Sequence, residues 1–418
     1  MNLLKISTNN LKDKPLTTSL SILLMALGIA IISLLLLAGK QIEEKFTRNV
    51  AGIDMVVGAK GSPLQLILAS IYQIDSPTGN ISMEEANRLT RSPLVKSTIP
   101  LSMGDSYKGY RIVGSNEKYL EHFQAEFETG KVFSQAMEIV VGAKVAKNLG
   151  LKVGDVFSSQ HGFDEEGDAH KEKQFKVVGI LKTTNSVLDQ VMITPLESIW
   201  AVHDEHHEEQ AGKGANALKL LEEDNTDENV GANGIRPSQE ITSLLVKFRN
   251  PVMGMMMARS INQNSTLQTA TPAIEINRLF ALLGVGVDAL KWIALVIIIV
   301  SGLSVFVSLY NSLKERKYEM ALMLSMGASR TKLFLLLLSE GLIISVLGFV
   351  IGIFLSRLGL GIMSENVEQN FHYNFNVLSL LTEEFYLFLG ALSIGLLAAT
   401  IPSLGIYNIN ISKTLADE

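Results

Sequence analysis

The stretch 314-KERKYEMALMLSMGASRTKLF-334 lies between two long apolar segments, and its reading decides how the chain is arranged. Five cations (Lys314, Arg316, Lys317, Arg330, Lys332) and two acids share it with a run of apolar side chains. It is too hydrophobic for a solvated loop and too charged for a membrane span. Met320, Leu322, Met323, Leu324 and Met326 cannot share one narrow helical stripe, so more than one surface has to cover them. An amphipathic link at a membrane face, with lipid headgroups on one side and a docking protein on the other, meets that requirement. Gly327 suits the left-handed position that ends a helix and Ser329 suits the cap of the next, so "MGASR" reads as a compact corner. The plainer reading is a link held only by Arg330 and Lys332 at anionic headgroups.

Four apolar stretches place this link within a membrane protein. Residues 15–39, 292–313 and 385–407 carry no charge over 25, 22 and 23 residues, and 333–356 carries only Glu340 among 24. Each exceeds the roughly 20 residues that an α-helix needs to cross about 30 Å of hydrocarbon. Lys5, Lys12 and Lys14 precede the first stretch, but it is too long for the apolar core of a signal peptide and lacks a small-residue cleavage site, so it reads as a retained anchor. The segment 1–14 has three lysines against one acid, the link 314–332 five cations against two acids, and 357–384 one arginine against four acids. The positive-inside rule therefore predicts cytoplasmic termini (1–14 and 408–418) and a cytoplasmic link, with 40–288 and 357–384 on the other side. A carboxylate two turns into a span, as Glu340 is, faces protein or water rather than lipid; a structural hydrogen bond is its simplest role and proton coupling the alternative.

The region 40–288 holds 25 Lys and Arg against 32 Asp and Glu, which gives no sign of nucleic-acid binding. There is no cysteine, which excludes disulfides and thiol chemistry. "GIDMVVGA" (52–59), "EIVVGAKVAKNLGLKVGDVF" (138–157), "KQFKVVGILK" (173–182), "QVMITPLESI" (190–199) and "TSLLVKFRN" (242–250) predict a mixed α/β domain, a sheet with helices against one face. Pro251 suits the first turn of a methionine-rich helix over 252–263, which reads as packing rather than a copper site. A helix from Ala273 is expected to run unbroken into the second span, taken as 289–313. Residues 204–239 are polar, acidic and rich in Gly and Asn, the composition of a flexible loop.

Taken together, one span, a large outer domain and three further spans, with 314-KERKYEMALMLSMGASRTKLFLLLLSEGLIISVLGFVIG-352 after the second, resemble the FtsX-like permeases of the MacB type. "IPSLGIYNINISKTLAD" (401–417) resembles that family's exit from its fourth span, and "MEIVVGAKVAKNLGLKVGDVF" (137–157), "FKVVGIL" (175–181) and "MITPLES" (192–198) resemble its periplasmic core. The resemblance implies a four-helix membrane protein with a MacB-like α/β domain between helices 1 and 2, in a bacterial inner membrane with that domain periplasmic. It further implies a non-catalytic subunit that pairs with a second permease chain, the same or related, and with two copies of a cytoplasmic ABC ATPase. A periplasmic adaptor or acceptor and membrane lipid complete the implied partners. The cargo class would be a hydrophobic one such as a lipoprotein or peptide. No G-x-x-x-x-G-K-[ST] phosphate loop occurs in this sequence, so ATP and Mg are expected in the partner and no cofactor in this chain. Arg316, Lys317, Glu319, Met320, Leu322, Met323, Gly327 and Ala328 become the expected ATPase-coupling residues. Glu319 would pair with a cation of the ATPase, while Arg316 and Lys317 face its acids or phosphates.

Two further groups carry alternatives. His203, His206 and His207 stand at i, i+3 and i+4, the spacing of zinc ligands on one helical face, and support a second reading as a membrane-anchored zinc-sensing or binding module. The competing explanation is a solvated polar tail. No H-E-x-x-H or G-x-S-x-G pattern supports a hydrolase. The apolar run "SPLQLILASIYQI" (62–74) offers Leu64, Leu66, Ile67, Leu68, Ile71 and Tyr72 as a lining for an acyl chain or hydrophobic peptide, against the alternative of a buried helix.

Overall fold

The computed structural model describes residues 3–161, 169–202, 239–371, 375–411 and 414. The chain divides into two units, Met1–Glu43 with Ala281–Glu418, and Glu44–Phe280.

The first unit is helical. α1 (Leu3–Asp13) precedes α2 (Pro15–Val50); α9 (Pro272–Glu315), α10 (Lys317–Ser325), α11 (Arg330–Phe371) and α12 (Thr382–Leu404) follow the second unit. Within the described residues, α2, α9, α11 and α12 are the four helices long and apolar enough to cross a membrane. α11 continues to Phe371, well past the end expected at Ser356, because no proline interrupts "SRLGLGIMSENVEQNF". Small residues bring the helices close: a Cβ on Gly341 would lie 2.6 Å from Ala399 Cβ, and one on Gly348 2.6 Å from Met25 Cγ. Backbones at that separation gain van der Waals contact where lipid supplies no hydrophobic drive.

The second unit is a mixed sheet built around β1 (Met55–Ala59), β3 (Val95–Tyr107), β4 (Tyr110–Ser115), β5 (Phe127–Gly130), β6 (Glu138–Val141), β7 (Val156–His161), β8 (Ala169–Leu181), β9 (Met192–Pro195), β11 (Ser243–Phe248) and β12 (Leu267–Ala270). Its order is β12-β1-β11-β3-β4-β9-β6-β8-β5. β7 pairs with both β3 and β8, so six of these strands close a ring. A short side ladder joins β2 (Ile81–Ser82) to β10 (Glu240–Ile241).

Alternation along the strands sends side chains to two buried faces. On one face Val56, Val113, Val140, Ile193 and Leu245 pack with α3 (Pro63–Ser70) and α5 (Glu117–His122). On the other, Met55, Val57, Leu244 and Val246 pack with α4 (Met83–Thr90) and α8 (Pro251–Asn264). Ile112, Ile139, Val177 and Met192 pack there with α6 (Ala143–Leu149) and α7, helical over 196–202. Helices therefore cover both faces, where the sequence suggests one. The strands carry apolar residues at successive positions, as two-sided burial demands.

The ends of two long helices belong to this domain's core. Phe46 and Val50 of α2 and Ile276 and Phe280 of α9 join the first of these clusters. Phe46 lies 4.4 Å from the Tyr72 ring and 5.7 Å from that of Phe280. Tyr72 Oη donates to the Phe46 carbonyl at 2.9 Å, and Asn49 Oδ1 accepts from the Val187 amide at 3.0 Å. α2 and α9 thus run without a break from apolar span to domain core.

Candidate functional site

The link folds as the corner that its residues suggest. α10 begins one residue after α9 ends and closes at Met326. Gly327 takes φ +94°, a conformation that costs a side chain about 1 kcal/mol or more. The Gly327 and Ala328 amides turn back to the carbonyls of Leu324 and Met323 at 3.1 and 3.0 Å, satisfying acceptors that the helix end leaves open. Ser329 Oγ accepts from the Lys332 amide at 3.3 Å and caps α11.

One side of the corner is rooted in the bundle. Met320 and Ala321 are buried with Val305, Leu309, Leu333, Leu336 and Ala399, and Met323 and Leu324 pack against that cluster. Met320, a docking contact in the sequence reading, is therefore part of the bundle core. Its neighbours across the helix point the other way: Tyr318, Glu319, Leu322 and Met326 are exposed, as is Lys317. Spacings of three and four residues put Tyr318, Leu322 and Met326 on one stripe with Glu319 beside it. Leu322 is 44% and Met326 75% exposed, an apolar surface flanked by charge.

Arg316 is engaged within the chain. Its guanidinium donates to Asp13 at 2.9 Å and lies 3.6 Å from Glu319 Oε2, with the side chain 18% exposed. It braces the start of α10 against α1. Lys14 pairs with Glu315 beside it. Arg330 donates to the carbonyls of Tyr407 and Ile409 at 2.7 and 3.3 Å, so it ties α11 to the chain after α12. Ala328 is half-buried in the turn.

Glu340 is buried, and its Oε1 accepts from Asn10 Nδ2 at 2.6 Å. Ser7, one turn earlier on α1, shares a 2.6 Å hydrogen bond with Ser339. The structural hydrogen bond expected for Glu340 therefore has a partner, supplied by α1.

A second polar cluster, in the half of α11 farther from the link, has no counterpart among the sequence-predicted sites. Arg357 donates to Glu384 Oε2 and to the Ser379 carbonyl, both at 2.8 Å. Glu384 also accepts from Ser33 at 2.7 Å and from the Leu381 amide at 3.3 Å, and Ser356 donates to Ser33 at 3.0 Å. α2, α11 and α12 are joined by this buried group. An arginine and a glutamate near span ends were its only signal in the sequence.

The residues offered as a cargo lining are placed in the domain core. Leu66, Ile67, Ile71 and Tyr72 are buried in the domain core with Leu68 packed against them, and Leu64 is half-buried. An apolar octapeptide between a β-strand and its neighbours was needed to cover the sheet. His203, His206 and His207 lie outside the described residues, and among the described residues no group of three or more His, Cys, Asp or Glu side chains could hold a metal ion. Of the methionine run, Met255 and Met256 are exposed while Met257 packs on the sheet.

Comparison with known proteins bears directly on this arrangement. Residues 18–233 match the model of the MacB-like periplasmic core domain, and residues 292–411 that of the FtsX-like permease C-terminal region. The pyoverdine export ATP-binding/permease protein PvdT of Pseudomonas syringae pv. syringae (strain B728a) is 23% identical over 375 residues, which cover 82% of this chain and 49% of that protein. The chain thus spans about half the length of this curated relative. Among solved structures, the periplasmic region of MacB from Actinobacillus actinomycetemcomitans is 12% identical with a TM-score of 0.34, covering 56% of this chain and 97% of that one. The extracellular domain of the noncanonic ABC-type transporter YknZ from Gram-positive bacteria is 13% identical with a TM-score of 0.28, covering 52% and 99%. With four membrane helices, an extracytoplasmic α/β domain between the first two, and family matches over most of its length, the chain belongs to the FtsX/MacB-type ABC transporter permeases.

Proposed function

We propose that this permease is the non-catalytic subunit of an exporter that transmits ATP-driven movement to its extracytoplasmic domain. Two copies of a separate cytoplasmic ATPase, carrying ATP and Mg, dock on the links of a permease pair, and both termini of each permease are cytoplasmic. The observation that carries this reading is the two-sided corner: Met320 and Ala321 fix α10 in the bundle, and Tyr318, Glu319, Leu322 and Met326 stay exposed. A stiff corner moves as one piece when a partner pushes on it; Gly327 and Ser329 give it that stiffness. Support for transmission comes from α2 and α9, whose far ends are core residues of the extracytoplasmic domain. Displacement of a helix anchored by Phe46, Asn49 and Ile276 displaces the sheet that holds them.

The cargo is a hydrophobic molecule such as a lipoprotein or peptide, taken from the membrane or the extracytoplasmic side, with an adaptor or acceptor receiving it. The exporter named in the curated relative supports export as the process. Co-purification in detergent with the ATPase encoded beside this chain tests the reading. Wild type should bind and stimulate ATP hydrolysis, whereas Glu319→Arg should lose both while remaining folded in the membrane. Unchanged binding and turnover in that variant would remove the role assigned to the corner.

A further inference from the structure

α1, the start of α2 and α11 border an open cleft of about 810 Å³. Leu11, Leu16, Leu20, Leu23, Leu347 and Ile351 supply its apolar lining. Pro15 to Leu23 and Ile343 to Ile351 each advance eight residues, or about 12 Å of helix. The apolar part thus has nearly the depth of one leaflet, about half of a 30 Å hydrocarbon core.

The polar residues of the lining are Thr8 and Lys12 of α1 and Thr18 and Ser19 of α2. The charges beside Lys12 are already matched: Asp13 accepts from Arg316 at 2.9 Å, and Lys14 pairs with Glu315. Lys12 itself is exposed and has no ion-pair partner among the described residues. A cation at the rim of an apolar slot one leaflet deep is complementary to an anionic headgroup above an acyl chain.

We infer that this cleft is a binding site for an anionic glycerophospholipid, whose phosphate sits at Lys12 and whose acyl chain lies between α2 and α11. The site shares no lining residue with the corner, and it rests only on the membrane reading of the four helices. Bound lipid would wedge α1 against the bundle and so hold Asn10 on Glu340 and Asp13 on Arg316.

The test is lipid retention by the intact chain. Protein reconstituted in bilayers of mixed phosphatidylcholine and phosphatidylglycerol is transferred to mild detergent and the remaining phospholipid identified by native mass spectrometry. Wild type should retain phosphatidylglycerol in preference to phosphatidylcholine. Lys12→Glu should reduce that preference by about tenfold, from the loss and reversal of one headgroup contact, and Lys12→Arg should keep it. Leu347→Trp, which fills the slot, should retain neither lipid. Equal retention by wild type and Lys12→Glu, or no retained lipid in wild type, would overturn the site. So would a disulfide between copies at Leu20→Cys, introduced into a chain without cysteines, since the cleft would then be covered by a second copy.

Discussion

The two polar clusters of the helical unit use the same residue types in opposite ways. Around the link, Arg316 pairs with Asp13 and Lys14 with Glu315, and each acid is more than 60% exposed. At the half of α11 farther from the link, Arg357 and Glu384 are 13% and 6% exposed, and they make further hydrogen bonds with the Ser379 carbonyl and Ser33. Exposed pairs contribute little and exchange partners readily. A buried pair, once made, cannot lose one member without leaving a charge in hydrocarbon. The link is therefore the adaptable end of the bundle, and the Arg357 cluster the committed one.

The largest expected effect tests the committed end. Glu384→Ala strands Arg357 and should cost about 3–5 kcal/mol in unfolding from detergent. The double variant Arg357→Met with Glu384→Leu should recover most of that loss. A double variant as unstable as the single one would show that the cluster does more than satisfy its own charges.

Asn10→Ala stands between the two regimes. It removes the donor held 2.6 Å from buried Glu340, and a cost of about 1–3 kcal/mol follows from an unsatisfied buried acceptor. Thermal unfolding measures it, and Glu340→Gln in the same background should return part of the loss. Gly327→Ala should cost about 1 kcal/mol through its left-handed backbone, and it should lower ATPase stimulation more than ATPase binding, since it loosens the corner without altering the exposed stripe. Smallest of all, Asp13→Ala removes the exposed member of a pair whose Arg316 keeps Glu319 3.6 Å away, and should change stability by less than about 1 kcal/mol. A larger loss on denaturation would place the link with the committed cluster and break the contrast.

How much of this was legible follows from where each signal resides. The spans were readable because 25, 22 and 23 uncharged residues in sequence have few other uses. The corner was readable because Gly327 and Ser329 act on backbone groups within three residues of themselves. The domain strands were readable from their β-branched runs, but the burial of both sheet faces was not, since it depends on helices from distant parts of the chain. Residues 62–74 show the same limit: apolar composition is identical for a cargo lining and for a core helix, and only the contacts with Phe46, Val56 and Ile276 decide between them. Arg357, Glu384 and Ser33 meet across as many as 351 positions, so no local pattern announces them. Arg316 and Met320 belong to a segment whose composition calls for more than one covering surface, yet that the bundle itself is one of them depends on where α1 and α9 lie.

The central claim is that a partner meets the exposed stripe of α10 and not its rooted face. Because the chain has no cysteine, single cysteines at Leu322, Met326 and Met320 can each be cross-linked to the ATPase without background from other thiols of this chain. The account predicts cross-links from Leu322→Cys and Met326→Cys that change with bound nucleotide, and none from Met320→Cys. Cross-linking from Met320→Cys as strong as from the stripe, or none from any of the three in an assembled complex, would contradict it.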